Sequence, residues 1–444
     1  MKRTEQYHAR PNLSDNTRAM LRLKSPISMT LLVLLMALPL HLRAARILIP
    51  MDEQQRDHLK AYGIAYLSLK QGQEISWLLN YRGGSFCVPQ IPTLETECRV
   101  RGVSYEVIPE ATYGRILSEI ADPEANMEVV KLEVAPKIAV YTPPNKLPWD
   151  DAVTMALVYA EIPYEKVYDD EVLEGKLPLY DWLHLHHEDF TGQYGRFYAS
   201  FRNAEWYQNE VRLAEATAKK HGFNKVFALK GAVAARIRDF VTGGGFLFAM
   251  CSATDSYDIA LAAEGIDICE HMYDGDAIDA SAQQKLDFNR TFAFKDFQLK
   301  KNPLEYEFSD IDVTGTRGFL QEQNDFFALF EFSAKWDVIP TMLTQSHERV
   351  IKAFMGQTTA FRKELIKSDV LVMGETSSLG EARYIHGSFG KGTWTFFGGH
   401  DPEDYQHLVG EPPTDLSLHP NSAGYRLILN NILFPAARKK KQKT

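Results

Sequence analysis

Short apolar runs alternate with helical patterns along most of this chain, and this alternation is the feature that most limits its fold. Between residues 137 and 265 the order is KIAVYTPP, a helical pattern at 149–162, YEKVYDD, YDWLHLHHEDF, helical patterns at 208–221 and 231–242, and FLFAM. Strands that alternate with helices in this way build a mostly parallel sheet with helices on both faces. The sequence therefore predicts an α/β fold with a doubly wound sheet.

Breaks in this series predict the domain boundaries. Residues 46–135 carry an earlier strand and helix series that ends at Ala135-Pro136, so we expect a smaller N-terminal α/β domain there. Residues 266–368 lose the rhythm, and KLDFNRTFAFKDFQL and LEYEFSDIDV predict strands of a β-rich insertion in a main domain of residues 137–434. The main series resumes at DVLVMGE and ends with the hairpin pattern ARYIHGSFGKGTWTFFGGHD, the helical pattern HPNSAGYRLILNNILF and a basic tail at 435–444.

The N-terminal segment has the layout of a signal peptide. Residues 29–40, MTLLVLLMALPL, are apolar but too few to span a bilayer comfortably. Arg22 and Lys24 precede this run, and Leu42-Arg43-Ala44 follows with a small residue at a cleavage point. We expect residues 1–44 to direct export to the periplasm or cell surface, with residues 1–19 as an upstream extension. An uncleaved membrane anchor is the alternative.

Charge and cysteine content narrow the partners and the compartment. A formal net charge of −9 without a basic stripe argues against nucleic acid as a partner. Export permits disulfides, and Cys87 and Cys98 lie in the loop-like stretch SFCVPQIPTLETEC at a separation that a bridge can close. Because spacing does not fix geometry, a bridge and two free thiols both stay open for this pair.

A third cysteine stands at a position that suits catalysis. In GGGFLFAMCSATDS the strand pattern stops at Cys251 and a helical pattern starts directly after it. Such a turn places the thiol at the carboxyl edge of a parallel sheet, where open α/β folds bind ligands. It also aims a helix N-terminus at the sulfur and leaves the next backbone N–H free to stabilise an oxyanion. The alternative is a buried cysteine without a chemical role.

This stretch resembles the nucleophile elbow of the class I glutamine amidotransferase-like superfamily, which includes DJ-1-like, peptidase-like and ThuA-like members. The resemblance covers the order and spacing of most of residues 137–434, with GKGTWTFFGGHDPED in place of the late hairpin that ends in the catalytic histidine. It implies a flavodoxin-like doubly wound sheet. The whole chain is also similar to exported bacterial proteins that carry the name asparagine synthetase B, although it lacks the SGG-type ATP loop of that activity.

The resemblance implies roles for particular residues. Cys251 would be the nucleophile and His400 the base, with Glu403 or Asp401 orienting the imidazole. The N–H of Ser252 and an N–H near Gly192 would form the oxyanion hole. Ala249 and Ala253 stand where the elbow usually carries glycines, and Asp401 interrupts the usual His-Pro-Glu motif, so the resemblance implies amide or acyl chemistry more than glutamine as the substrate.

A second polar cluster lies at the end of a predicted strand and consists of His184, His186, His187, Glu188 and Asp189. Alternation puts His184 and His186 on one strand face, where they could ligate a metal with a neighbouring carboxylate. No distant motif supplies a further ligand, so we expect no metal site, and we assign His187 and Glu188 to substrate contact.

Three functions follow from these patterns. The first is an exported, cofactor-free Cys-His hydrolase that acts on the C–N bond, or a related acyl bond, of a small-molecule or peptide-like substrate. The second is a non-catalytic periplasmic or surface binding protein on the same fold, with carbohydrate as a candidate ligand. The third is a metal-dependent hydrolase that uses His186 and Glu188.

Overall fold

The computed structural model describes residues 45–144 and 150–437, which form a mixed α/β fold with two sheets and surrounding helices. These residues all belong to one compact unit. None of the helices in the described ranges combines the length and the apolar character needed to cross a membrane. The predicted signal peptide at 1–44 and most of the basic tail lie outside the described residues.

The first sheet is antiparallel and has the strand order β4-β1-β3-β2-β5. Its strands are β1 Ala45–Ile49, β2 Ile75–Leu79, β3 Ser85–Pro89, β4 Glu106–Pro109 and β5 Glu128–Leu132. The accompanying helices are α1 His58–Lys70, α2 Pro92–Arg101 and α3 Glu110–Ile120. Hydrophobic side chains are buried on both faces of this sheet, so it separates two apolar clusters.

The second sheet joins a parallel half to an antiparallel half, in the order β11-β10-β13-β14-β15-β9-β8-β6-β7 with β12 paired to β14. The strands of its parallel half are β6 Ile138–Tyr141, β7 Glu165–Val167, β8 Trp182–Leu185, β9 Phe246–Met250 and β15 Gly392–Phe397. The strands of its antiparallel half are β10 Phe326–Leu329, β11 Val350–Lys352, β12 Phe361–Arg362, β13 Leu371–Thr376 and β14 Glu381–Phe389.

The other helices of the described residues are α4 Ala152–Tyr159, α5 Asp169–Leu173, α6 Tyr198–Phe201, α7 Glu205–Lys220, α8 Val226–Gly243, α9 Ala253–Ala262, α10 His271–Asp274, α11 Ala282–Lys285, α12 Val338–Leu343 and α13 Ala423–Leu433. Helices α4 and α13 contribute to the core on one face of the parallel half, and α8 and α9 contribute to the core on the other face. The C-terminal helix α13 contributes to the same core as α1, where Tyr62 donates a hydrogen bond to Asn430. The described residues around the two sheets therefore share buried apolar contacts.

The strands predicted for residues 285–299 and 304–313 are wrong. These stretches contain isolated bridges but none of the strands assigned in the described chain. Phe292, Phe294 and Phe297 are buried and Phe288 is partly buried, which explains the alternating pattern. The Asp258 carboxylate, however, accepts the N–H groups of Phe292, Ala293 and Phe294. A side chain thus supplies the hydrogen-bond partner that a neighbouring strand would supply in a sheet.

The stretch that carries Cys87 and Cys98 is also more regular than the sequence suggests. It forms β3 and α2, and both thiols are free and buried. Cys87 belongs to the cluster under α3, whereas Cys98 belongs to the cluster on the other face of the first sheet. A disulfide needs Cβ atoms about 3.5–4.5 Å apart that point toward each other, and these two side chains lie in separate cores.

Candidate functional site

The carboxyl ends of four parallel strands bring polar residues to one edge of the second sheet. Asp151 lies in the segment between β6 and α4, His186 directly follows β8, Cys251 directly follows β9, and His400 comes shortly after β15. In an open α/β sheet the chain reverses its winding at a point where two neighbouring strands lead to opposite faces, and ligands bind there. The predicted residues Cys251 and His400 therefore lie at the edge where this fold places its sites.

Cys251 occupies a sharp turn between β9 and α9. Its φ is 50°, in the left-handed region that few non-glycine residues adopt. Its backbone N–H donates to the carbonyl of Gly399 at 3.2 Å, and the N–H of Ala253 donates to the carbonyl of His186 at 2.8 Å. These two bonds tie the turn to the segments that follow β15 and β8.

The thiol of Cys251 is buried, with 3% of the residue exposed, and it faces a loop at residues 354–359. The N–H of Gln357 donates to Sγ at 3.4 Å. Burial raises the pKa of this thiol to about 11, although the backbone N–H groups of Gln357, Ser252 and Thr358 oppose the shift. In the resting protein the thiol is therefore protonated at neutral pH. The surrounding N–H donors would stabilise the negative charge of a thiolate once it forms.

The loop at 354–359 is a part of the site that the sequence patterns do not indicate. Arg383, on β14, donates to the carbonyls of Phe354 at 2.8 Å and Thr359 at 3.1 Å. Gly356 packs so closely on the chain that a Cβ there would lie 2.7 Å from the backbone nitrogen of His400. The loop lies in the predicted insertion, far from Cys251 in the sequence, so tertiary packing alone brings it to the site.

His400 is directed toward other histidines rather than toward the sulfur. Its Nδ1 lies 3.0 Å from Nε2 of His186 in a hydrogen bond, and its ring stacks on that of His407 with the centroids 5.1 Å apart. Among the described residues, Cys251 and His400 share no side-chain hydrogen bond, although their backbones are adjacent through Gly399. Burial and the neighbouring His407 lower the pKa of His400 to about 4, so the imidazole is neutral at pH 7.

Asp151 completes this row of polar side chains, and the sequence patterns do not indicate it as a site residue. Its Oδ1 caps α4 by accepting the N–H groups of Val153 and Thr154. Its carboxylate also lies 3.2 Å from Nε2 of His184 and 3.6 Å from Nδ1 of His186. Burial acts to raise the pKa of Asp151, but these two imidazoles outweigh burial and lower it. A negative charge is thus stabilised directly behind His186.

The two acids predicted to orient His400 have other partners. Glu403 lies 3.0 Å from Nδ1 of His419. Asp401 accepts hydrogen bonds from the hydroxyls of Tyr425 at 2.8 Å and Thr414 at 2.7 Å. Asp401 still favours the protonated form of His400 through its charge, but the hydrogen bond that orients the ring comes from His186.

Of the two predicted oxyanion donors, Ser252 lies at Cys251 and Gly192 packs elsewhere. The N–H of Ser252 lowers the pKa of the neighbouring thiol, so it faces the sulfur. Gly192 has φ 83°, and a Cβ there would lie 2.7 Å from the backbone nitrogen of Phe227, at the start of α8. The structure instead brings Gln357 to the sulfur.

The remaining predicted residues line the end of β8. The rings of His187 and His400 lie 6.2 Å apart. Glu188 accepts the N–H of His186 at 3.0 Å, and burial raises its pKa to about 8. Asp189 accepts N–H groups of Thr191 and Gly195, which shapes the loop that follows. His187 and Glu188 therefore remain at the site, whereas Asp189 serves the loop.

Comparisons with known proteins do not identify a function for this site. No protein-family model matches the chain, and no curated protein matches it. Among solved structures, the cytoplasmic protein STM3548 of Salmonella typhimurium aligns with a TM-score of 0.34 and 9% identity, over 68% of this chain and 100% of its own. The cytoplasmic protein STM1381 of Salmonella typhimurium LT2 aligns with a TM-score of 0.33 and 13% identity, again over 68% and 100%. Similarity at this level carries no argument about function.

Proposed function

We propose that this chain is a cysteine-dependent hydrolase of an amide or related acyl bond, with Cys251 as nucleophile and His400 as base. The observation that carries the proposal is the φ of 50° at Cys251, between an inner parallel strand and a helix. A non-glycine residue held in this region costs about 1–3 kcal/mol, and such strain concentrates at functional sites. A nucleophile elbow uses the same turn to project its side chain at the sheet edge.

The topology of the parallel half supports the same proposal. Its strand order is β7-β6-β8-β9-β15, and in chain order within this half these are the second, first, third, fourth and fifth strands. Flavodoxin-like sheets have this order and bind ligands at the carboxyl edge, next to the first and third strands. Cys251, His186 and His400 occupy that edge here, which agrees with the glutamine amidotransferase-like resemblance.

In the proposed reaction, the His400 ring keeps the hydrogen bond from Nδ1 to His186 and moves so that Nε2 reaches Sγ of Cys251. The imidazole takes the thiol proton while sulfur attacks the carbonyl carbon and the carbonyl π-electrons move to oxygen. The N–H groups of Ser252 and Gln357 stabilise the resulting oxyanion. The C–N bond then breaks as the imidazolium protonates the departing amine, and water hydrolyses the thioester with the same base.

The orienting role belongs to His186 and Asp151 in this proposal. Asp151 favours a proton on Nδ1 of His186, which leaves Nε2 to accept a hydrogen bond from His400. His400 then carries its proton on Nδ1 and offers a free Nε2 to the thiol. The row Asp151, His186 and His400 thus supplies what a single acid supplies in the usual triad.

The burial of the sulfur favours a second candidate, a non-catalytic binding protein on the same fold. A thiol that is 3% exposed with a pKa near 11 reacts slowly with most electrophiles at neutral pH. The two candidates differ in whether His400 accelerates reactions of Cys251.

Alkylation of Cys251 by iodoacetamide separates these candidates. Because the thiol has a pKa of about 11, the uncatalysed rate rises about tenfold per pH unit between pH 7 and 10. If His400 acts as a base, alkylation at pH 7 exceeds that trend, and His400→Gln lowers the pH 7 rate by about tenfold or more. Peptide mass spectrometry of quenched samples measures the modified fraction at Cys251 separately from the other thiols.

The matched control is His221→Gln, because His221 pairs with Asp170 and does not belong to the row of Asp151, His186 and His400. This variant should react like the wild-type protein. Equal rates for wild type and His400→Gln at pH 7 would remove the base from the proposal and favour the binding protein.

Export is a further part of the proposed function. The signal-peptide layout places the cleavage point after Ala44, and β1 begins at Ala45. We therefore expect secreted expression of the full chain in a bacterium to yield a mature protein that starts at Ala45. Intact-mass analysis checks the mass, and a product that retains residues 29–40 in the membrane fraction would indicate an anchor instead.

A further inference from the structure

Three imidazoles meet at the edge of the second sheet in a geometry that suits a metal ion. One ring nitrogen from each of His186, His187 and His400 lies within 4.8 Å of the others. His186 and His187 follow β8, whereas His400 comes from the distant segment after β15, so the fold supplies the third ligand that sequence spacing does not show.

The separation of the nitrogen atoms is close to that of a tetrahedral site. Nε2 of His186 and Nδ1 of His400 are 3.0 Å apart. With zinc–nitrogen bonds of about 2.0–2.1 Å, two ligands of a tetrahedral ion lie about 3.4 Å apart. A shift of a few tenths of an ångström therefore converts this hydrogen bond into two metal bonds. One of these two nitrogens carries the proton of the hydrogen bond, and that proton moves to the other nitrogen of the same ring when the metal binds. Metal binding therefore needs only a change of tautomer in that ring.

Asp151 stands where metal-binding histidines usually have a carboxylate. Its Oδ1 lies 3.6 Å from Nδ1 of His186, on the side of the ring opposite the His400 contact. At this distance the carboxylate charge favours a proton on Nδ1 of His186, the tautomer that presents Nε2 to the metal, and a small approach would make the hydrogen bond that metal-binding histidines usually donate. The helix cap at α4 in turn fixes the carboxylate, through the N–H groups of Val153 and Thr154.

A second set, Asp151, His184 and His186, also brings its ligand atoms within 4.8 Å. Oδ1 of Asp151 already accepts two helix N–H groups, and His184, which belongs to this set alone, is fully buried at 0% exposure. In the first set His187 is partly exposed, although its ring nitrogens are buried. The first set is thus the better site.

We propose that His186, His187 and His400 bind one divalent transition metal ion of the zinc class, with Asp151 as the carboxylate behind His186. Three neutral nitrogen ligands suit zinc and leave a fourth position for water or a substrate atom. Binding occupies Nδ1 of His400 and places the ring proton on Nε2, so the ring has no free nitrogen to accept the thiol proton. A metal ion therefore inhibits the cysteine reaction, a consequence that rests on the proposed function, whereas metal binding itself does not.

Titration of the purified full-length chain with Zn²⁺ and Co²⁺, after treatment with a chelator, tests the site. We expect one high-affinity Zn²⁺ per chain by calorimetry and a tetrahedral Co²⁺ absorption spectrum without a thiolate charge-transfer band. His187→Ala should abolish this binding, and Asp151→Asn, which preserves the helix cap, should weaken it about 10–100-fold. His221→Ala and Cys251→Ala should bind like the wild type.

Circular dichroism of His187→Ala checks that the chain is folded, which a half-buried position should permit. Absence of Zn²⁺ binding by the wild type, unchanged affinity in folded His187→Ala, or a thiolate band that disappears in Cys251→Ala would each overturn the site. Since these readouts need no substrate, they stand even if the chain proves to have no hydrolase activity.

Discussion

Substitution of Cys251 by alanine should abolish hydrolysis and leave the fold intact. The sulfur forms the covalent bond to the acyl group in the proposed reaction, and no other described cysteine lies at the turn between β9 and α9. Loss of a catalytic nucleophile typically lowers turnover by several orders of magnitude, so we expect a decrease of at least about 10³-fold. The measurement is release of p-nitroaniline or p-nitrophenol from a panel of acylated substrates that the wild-type protein cleaves.

The same pair of proteins provides a direct view of the intermediate. An ester substrate that acylates faster than it deacylates should add the acyl mass to the wild-type protein, with Cys251 as the modified residue. Alanine at this position keeps the backbone conformation at similar strain, so the thermal unfolding midpoint should change little.

Cys269→Ala is the matched control, because Cys269 is also buried and its thiol donates to the carbonyl of Thr191, away from the turn between β9 and α9. That variant should retain wild-type turnover. Full activity in Cys251→Ala would exclude cysteine catalysis and favour the metal-dependent alternative.

The order of elements around Cys251 is predictable from sequence because strand and helix periods differ. FLFAM is a buried apolar run, the helical pattern starts directly after it, and both become β9 and α9 as expected. The same reasoning fails for residues 285–299, where the Asp258 carboxylate satisfies the backbone. Alternation of hydrophobic side chains reports burial, and it indicates a strand only when another strand is the hydrogen-bond partner.

Asp151 shows why the polar site is harder to predict than the sheet. In the sequence it is a typical helix N-cap, and it does cap α4. Its contacts with His184 and His186 arise because β6 and β8 are neighbours in the sheet, with Ile138 opposite Trp182. Periodicity within one segment carries no information about which strands pair, so this contact depends on topology.

The loop at 354–359 is not predictable from the sequence for a related reason, since a buried charge on a distant strand holds it in place. Arg383 holds this loop through two carbonyls, and its charge is balanced by Asp325 at 3.2 Å. Asp325 also accepts from Arg317, which pairs with Glu381. Asp325 and both arginines are at most 1% exposed. Two positive and two negative side chains are therefore buried together.

Asp325→Asn should destabilise the protein by about 3–5 kcal/mol, since it leaves one buried positive charge without a counterion. Burial and the neighbouring Arg317 already lower the pKa of Arg383 to about 9, so loss of the carboxylate adds to an existing electrostatic cost. The shift in the urea unfolding midpoint, at constant slope, measures the change in the free energy of unfolding. Turnover should fall as well, because the released loop carries the N–H of Gln357 away from the sulfur.

Glu331→Gln is the comparison for this variant, because the Glu331–Arg349 pair is 67% and 53% exposed on its two side chains. Loss of such a surface pair should cost about 0–1 kcal/mol. An equally small loss of unfolding free energy in Asp325→Asn and Glu331→Gln would mean that water reaches the charges around Arg383. Arg383 would then not hold the loop rigidly. A large loss of stability with unchanged turnover would instead separate the charge cluster from the site and remove the Gln357 N–H from the proposed oxyanion hole.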